Sequence, residues 1–447
     1  MRRQDQLSLT RPPIEHAHAE ELDQISRILD DNPGMADRVA QDLVRGLRNP
    51  HTGARGMSGD QALRALVIKQ MNSFSYEELA FHLADSVSYR SFSRFGAFAR
   101  VPSRATLAEN LKKVQPATLE AILRQLVRHA LALKVESGRK VRIDATVTET
   151  NIHTPTDSTL LLDGVRVLTR LLGRAETICG FRLWRDHTRR AKRRVLAIQH
   201  ANRAEKRTRA YRDLLKVTSQ CERYAQHAIQ ALAAVSGEAE REAAALRTEI
   251  EEYRVWIVAV IDQTERRVLL GETVPADEKI LSLFEPHTDI IIKDRRETHY
   301  GHKVFLSAGQ SGLITDCVIA SGNPADSTMA VPLLERQIRI LGRVPKQAAF
   351  DGGFASKDNL RKGKALGITD LAFSKKRGLE VSAMTRSSWI FRRLRDFRAG
   401  IEGLISFLKR AFGLARCTWR GAESFASYVL SSVIAANLLT LARHLLR

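Results

Sequence analysis

Between residues 139 and 149 the apolar residues of this chain fall at every second position. Val141, Ile143, Ala145 and Val147 alternate with Arg142, Asp144, Thr146 and Thr148. That period belongs to a strand, because successive side chains on a strand point to opposite faces. It places Asp144 on the polar face. The pattern then stops. A loop carries Pro155, Leu160 to Leu172 has helical spacing, and about 174 to 256 is highly charged and poor in Gly and Pro, which predicts helices. From about residue 255 strand-like runs return: Val255 to Ile261, Ile290 to Ile292, Lys303 to Ala308 and Ile314 to Ala320. A first strand cut off from its partners by helices means that the sheet is assembled from both sides of a helical segment.

The rest of the chain fills in the order. Ser327 to Leu341 reads as an amphipathic helix and Gln347 to Phe350 as a short strand running into Asp351, Gly352 and Gly353. Lys357 to Leu366 is a helix, Thr369 to Phe373 a strand, and after Lys375, Lys376 and Arg377 comes a long helix. Asp326 reads as a helix N-cap. Upstream, residues 1–20 are polar and loose, and 21–134 is helical. Gln61 to Met71 shows helical spacing, while Ser75 with Glu78 and Thr106 with Glu109 form capping-box signals. Such short helices are compatible with a helix-turn-helix reader, and Arg90, Arg94, Arg100, Arg104, Lys112 and Lys113 lean the region towards DNA.

Charge narrows the partner. The chain has 447 residues, with 71 Lys and Arg against 50 Asp and Glu, a formal charge of +21. Residues 182–216 hold 13 basic and 3 acidic residues, and residues 356–420 hold 16 and 5. These two zones carry the whole excess, and the remainder is balanced. Concentrated positive charge implies a polyanion, most often nucleic acid. The stretch Glu238 to Glu252 reverses the sign, which suggests a helical hairpin of opposed charge within 174–256.

The four cysteines, Cys179, Cys221, Cys317 and Cys417, are scattered without metal-ligand spacing and read as ordinary thiols of a reducing compartment. The start of the chain lacks the apolar run of a signal peptide. Tyr428 to Leu446 is apolar but interrupted by Ser431, Ser432, Asn437, Thr440, Arg443 and His444, so a buried helix is expected there and no membrane partner. The expected location is the cytoplasm, in association with nucleic acid.

Three acids stand out. Asp144 lies on the first strand and Asp351 ends a later one. On the long helix, Arg395, Arg398, Glu402 and Lys409 fall on one side, while Phe397, Ile401, Leu404 and Leu408 form another. An acid among cations on one face is explained if a divalent metal lies between it and a phosphate. His302 reads as structural, and His153 is left open. Trp389 and Trp419 flank the helix, as base-stacking platforms or as core.

Strand with acid, hairpin strands, helix, strand with acid, helix, strand, helix with acid is the element order of a ribonuclease-H-like domain. The chain resembles bacterial insertion-sequence transposases of the Asp-Asp-Glu type. The resemblance rests on Val141 to Val147 with Asn151 to Asp157 after it, on Ala349 to Phe354, and on Arg398-x3-Glu402-x6-Lys409. The last matches the family signature Tyr-x2-Arg-x3-Glu-x6-Lys, except that Arg395 replaces the tyrosine.

The resemblance implies an α/β fold: a ribonuclease-H-like mixed sheet flanked by helices, with an N-terminal all-α domain and a helical insertion. The expected domains are 1–135, helical, for DNA binding or dimerisation; 136–175, the first part of the catalytic domain; 176–254, the charged insertion; and 255–447, the remainder. Asp144, Asp351 and Glu402 are the expected catalytic acids and ligands of two Mg²⁺ ions, with Mn²⁺ as a substitute. Arg398, Lys409, Arg395, Lys375, Lys376 and Arg377 are the expected DNA contacts. The implied activity is metal-dependent cleavage at element ends followed by 3′-hydroxyl strand transfer, on double-stranded DNA carrying terminal inverted repeats and on target DNA, by a homodimer. A structure-selective nuclease without strand transfer and an inactive DNA-binding relative are the alternatives.

Overall fold

In the computed structural model, which describes residues 15–49, 52, 56–96, 99–182, 184–293, 297–375 and 377–447, the chain begins with helices. These are α1 (Ala17–Asp30), α2 (Gly34–Val44), α3 (Gly59–Met71), α4 (Tyr76–Asp85), α5 (Val87–Phe92), α6 (Arg104–Lys112) and α7 (Pro116–Ala132). Strand β1 (Lys140–Glu149) follows, then α8 (Asp157–Cys179), α9 (Thr188–Gln199), α10 (Ala204–Ala233), α11 (Glu240–Thr264) and β2 (Asp289–Lys293). The last part runs β3 (Glu297–Ala308), β4 (Ile314–Ile319), α12 (Asp326–Leu341), β5 (Gln347–Phe350), α13 (Lys357–Ala365), β6 (Asp370–Phe373), α14 (Val381–Met384), α15 (Ser388–Ala411) and α16 (Ala422–Leu445).

The chain divides into two compact units, one of residues 1–150 with 301–447 and one of residues 151–300. In the first, the strands run in the order β4, β3, β1, β5, β6. β3 is antiparallel to both β1 and β4, whereas β5 is parallel to β1 and β6 is parallel to β5. This is the ribonuclease-H-like mixed sheet that the element order predicts. Parallel neighbours need a crossover, and α12 and α13 supply part of it by burying Leu333, Leu334 and Leu360 with Ile143, Phe350 and Phe373.

The second face of the sheet is covered by helices. Residues 142, 144, 146 and 148, read from their alternation as a polar face, are all buried, from 9% exposed at Arg142 to 0% at Thr148. Alternation reports side-chain polarity, and here a polar face lies under α15, which packs on β1, β5 and β6. Arg142 ties that helix down. Its Nη1 donates to the Phe397 carbonyl at 3.0 Å, and its guanidinium lies 4.8 Å from the Phe397 ring centre. Gly400 leaves the space, since a Cβ there would stand 2.2 Å from Arg142 Nη1.

Helices α1 to α7 share one continuous core with β3, β4, α15 and α16. α16 is long and apolar enough to cross a membrane, yet 89% of its most apolar window is buried inside the protein. Its polar residues have specific partners. Asn437 accepts from the Ile314 amide at 2.8 Å and donates to the Ile314 carbonyl at 2.7 Å, and Gln70 donates to Ser431 at 2.8 Å.

Some local expectations change. Val255 to Ile261 lies within α11, with Ile257 and Val260 buried and Val255 and Val258 exposed. That three-residue repeat is helical, which a short apolar run does not reveal by itself. The helix expected to open at Thr106 is capped by Ser103, whose Oγ accepts from the Thr106 amide. The box at Ser75 forms as read, with both reciprocal bonds to Glu78. Asp326 is the first residue of α12, after its N-cap Ala325, and pairs with Lys303 at 3.2 Å. In the second unit the charged segment forms three helices, α9, α10 and α11, which bury a common core with α8.

If Arg142 fastens α15 to the sheet, Arg142→Ala lowers unfolding stability by about 1–3 kcal/mol, for one hydrogen bond and one buried cation–π contact. Thermal denaturation of the full chain measures this, and an unchanged midpoint would refute the tether.

Candidate active site

The register of the parallel strands builds the site. Ile143 of β1 stands opposite Phe350 of β5, and Phe350 opposite Phe373 of β6. The next residue on each chain is therefore Asp144, Asp351 and Ser374. Neighbouring strands lie about 4.8 Å apart, so residues one step past a matched pair are neighbours too. Ser374 Oγ donates to Asp351 Oδ1 at 2.7 Å. Sequence reasoning missed Ser374; the signal was that it follows the last residue of its strand, as Asp351 does.

α15 brings the third acid. Arg398 lies under the helix at 14% side-chain exposure, and its guanidinium meets all three carboxylates. Nη2 is 2.8 Å from Asp144 Oδ2 and 3.3 Å from Asp351 Oδ1, and Nη1 is 2.7 Å from Glu402 Oε1. Three acids that are remote along the chain thus converge on one cation. Their environments differ. Burial raises the Asp144 carboxyl above its usual range, the Arg398 charge and the Ala145 amide pull against this, and the Asp351 charge adds to it. Burial also pushes Asp351 upwards, but the Ser374 hydroxyl, the Gly352 amide, and the charges of Arg398 and Lys375 together bring it below the ordinary value. The two neighbouring carboxyls are thus pushed in opposite directions, Asp144 upwards and Asp351 downwards.

The glycines after Asp351 are explained by space. Neither Gly352 nor Gly353 has a positive φ. A Cβ on Gly352 would meet the Lys375 side chain at 2.6 Å, and one on Gly353 would meet Asp326 Oδ2 at 2.6 Å. Lys375 therefore crosses directly over the turn that carries Asp351. Arg377 is exposed nearby in the chain, and Lys376 lies outside the described residues. Lys409 is half-buried on α15. Arg395 is exposed and turns towards Asp396 at 3.8 Å, so it does not join the cluster. Trp419 is core, packed between Tyr76 and Tyr428. Trp389 is 58% exposed, with Arg393 over its ring. His302 is buried edge-on against Phe425, and His153 faces Asp163 at 3.6 Å.

Two family descriptions match the chain. A transposase DDE domain covers residues 286–438, and a Transposase domain (DUF772) covers residues 12–113. The chain belongs to the DDE transposases. No curated protein and no solved structure matches it. The DDE match holds Asp351, Arg398, Glu402 and Lys409 and starts after Asp144, so Asp144 enters the site through its register on β5. This transposase is of a class that cleaves DNA and generally uses divalent metal ions. Among the described residues no three acid, imidazole or thiol groups already stand at chelating separation. The three acids of the transposase meet through Arg398 instead. Their carboxylate oxygens are hard donors of the kind that suits Mg²⁺, so the donor set fits.

The pH dependence of Ser374→Ala tests the electrostatics. A carboxyl held below its unfolded value contributes stability above that value and loses it as pH falls through the folded one. Removing the Ser374 hydroxyl therefore costs about 1 kcal/mol at neutral pH, discounted because Asp351 is partly open to solvent. The difference from the parent vanishes below the ordinary aspartate range, about pH 3.9. A difference that persisted in acid would mean that Ser374 acts by packing.

Proposed function

We propose that this transposase cuts DNA at the ends of a mobile element and joins the freed 3′ hydroxyl to target DNA, at a centre formed by Asp144, Asp351 and Glu402. The observation that carries this is the convergence of the three carboxylates on Arg398. Carboxylates gathered this tightly repel one another unless a cation lies among them. In the protein alone that cation is a guanidinium, and the same carboxylates would hold Mg²⁺ for the reaction. A pair of such ions supplies charge stabilisation at both the attacking and the leaving oxygen of an in-line phosphoryl displacement.

The protein's own groups do the rest. Asp144, Asp351 and Glu402 would hold the metal. Arg398 turns from the acids to the phosphate next to the scissile bond. Its Nε is buried without a hydrogen-bond partner, so an anionic oxygen in reach would satisfy a donor that the resting arrangement leaves unmet. Lys375 and Lys409 add point charges on the same phosphates. The Nη contacts hold the carboxylates in place beforehand, which reduces the reorganisation needed when substrate and metal enter. Two ends must be joined in one event, so the working form is a homodimer on DNA. The helices α1 to α7 hold the terminal repeats or the second subunit.

Asp351→Ala decides the assignment. On a duplex carrying the element's ends, cleavage by the variant falls by more than about 1,000-fold, while binding of the same duplex stays within a few-fold of the parent. Undiminished cutting would sink the centre. Chelation by EDTA stops cleavage by the parent, and added Mg²⁺ restores it. A gel that offers labelled target DNA reads the second step, because joined product requires strand transfer. Cutting without joined product would make the protein a nuclease on the same scaffold.

A further inference from the structure

Away from the acids, α2, α7 and α12 line an open cavity of about 550 Å³ whose polar lining is five arginines: Arg38, Arg124, Arg128, Arg336 and Arg339. They come from three helices. Arg124 and Arg128 stand one turn apart on α7, as do Arg336 and Arg339 on α12. The other lining residues are Ala121 and Ile340. None of them belongs to the acid cluster. Along α12, Asp326, which sits over Gly353 beside Asp351, is about 15 Å from Arg336 at 1.5 Å per residue.

Two acids reach this group and hold part of it. Arg336 grips Asp316 through Nε at 2.7 Å and Nη2 at 2.9 Å, and Nη2 also meets Glu120 at 2.8 Å. Arg124 meets Glu120 at 2.6 Å. Asp316 is 2% exposed, so it fixes the Arg336 guanidinium while leaving Nη1 for another acceptor. Arg38, Arg128 and Arg339 are exposed and have no ion-pair partner among the described residues. Five cations against two acids leave like charges around one cavity, an arrangement that is stabilised when an anion enters.

The geometry points to a second phosphate-binding site, distinct from the acid centre, which grips the backbone of DNA outside the segment being cut. Guanidinium forks match phosphate oxygens bidentately. The cavity spans more cations than one phosphate requires, and its lining has no aromatic ring on which a base could stack. It is therefore built to hold phosphates and not to read bases. That the phosphates are those of DNA rests on the transposase reading; that the cavity takes a phosphate oxyanion does not.

The test is the triple variant Arg38→Gln, Arg128→Gln, Arg339→Gln in the full chain. These side chains are exposed and have no ion-pair partner among the described residues, so folding is little affected. Arg336 is left alone, since its loss would strand buried Asp316. Binding to a duplex longer than two helical turns is measured over a range of salt concentrations. Each phosphate neutralised contributes about 0.9 to the slope of log K against log salt. The variant is expected to lose about 2–3 units of slope and at least about tenfold in affinity at low salt. In parallel, inorganic pyrophosphate is added at constant ionic strength and the melting temperature recorded. If the slope is unchanged but pyrophosphate stabilises the parent and not the variant, the site takes a free anion. If neither readout separates the two proteins, the proposal is overturned. No readout involves cleavage, so failure of the acid-centre assignment, seen with Asp351→Ala, leaves this result untouched.

Discussion

The structure depends on keeping three like charges together. β1 and β5 are parallel and matched residue for residue, which makes Asp144 and Asp351 neighbours with no freedom to separate. Two adjacent carboxylates in a half-buried setting raise each other's proton affinity. Arg398 relieves this by lying against both and against Glu402. The guanidinium suits the task because its planar fork offers several donors in fixed directions. The rest of the first unit secures this contact. Arg142 holds α15 to β1, Gly400 admits Arg142, and Gly352 lets Lys375 cross beside Asp351.

The same requirement accounts for the unequal carboxyls. Asp351 has a hydroxyl, an amide and two cations around it, whereas at Asp144 one cation and one amide are outweighed by deeper burial and its neighbour's charge. The two acids are thereby pushed apart in proton affinity, Asp144 upwards and Asp351 downwards. A divalent cation held by these carboxylates would favour the ionised form of both. The proposed exchange of Arg398 for metal is therefore a replacement of one positive group by stronger ones, with the guanidinium released to a phosphate.

Much of the architecture was legible in the sequence. β5 is bounded where its apolar run begins and ends, β1 and α12 differ by a residue or so, and the helix bearing Glu402 is in place. These segments have clear periods and stops, and local rules are sufficient for them. Val255 to Ile261 was misread because a short apolar run is compatible with either period. The alternation around Asp144 located the strand but not what covers it, since burial of the polar face depends on α15, far away in sequence. Arg398 was placed among the phosphate contacts from its spacing. Its contacts to Asp144 and Asp351 are tertiary and left no local trace. The arginine-lined cavity shows the same limit for charge. Its five arginines lie outside both basic zones, in the portion that a running tally calls balanced.

By itself the sequence determined most of the order of elements, the placing of three acids at two strand ends and on a long helix, and the spacing of Arg398, Glu402 and Lys409, because periodicity and helical spacing are properties of neighbours along the chain. Tertiary structure decided that Ser374 serves Asp351, that one guanidinium joins three carboxylates, and that arginines from three helices share a cavity. Those are distances between residues whose separation in sequence carries no information about their separation in space. They follow from strand register and helix packing, which the whole core sets together.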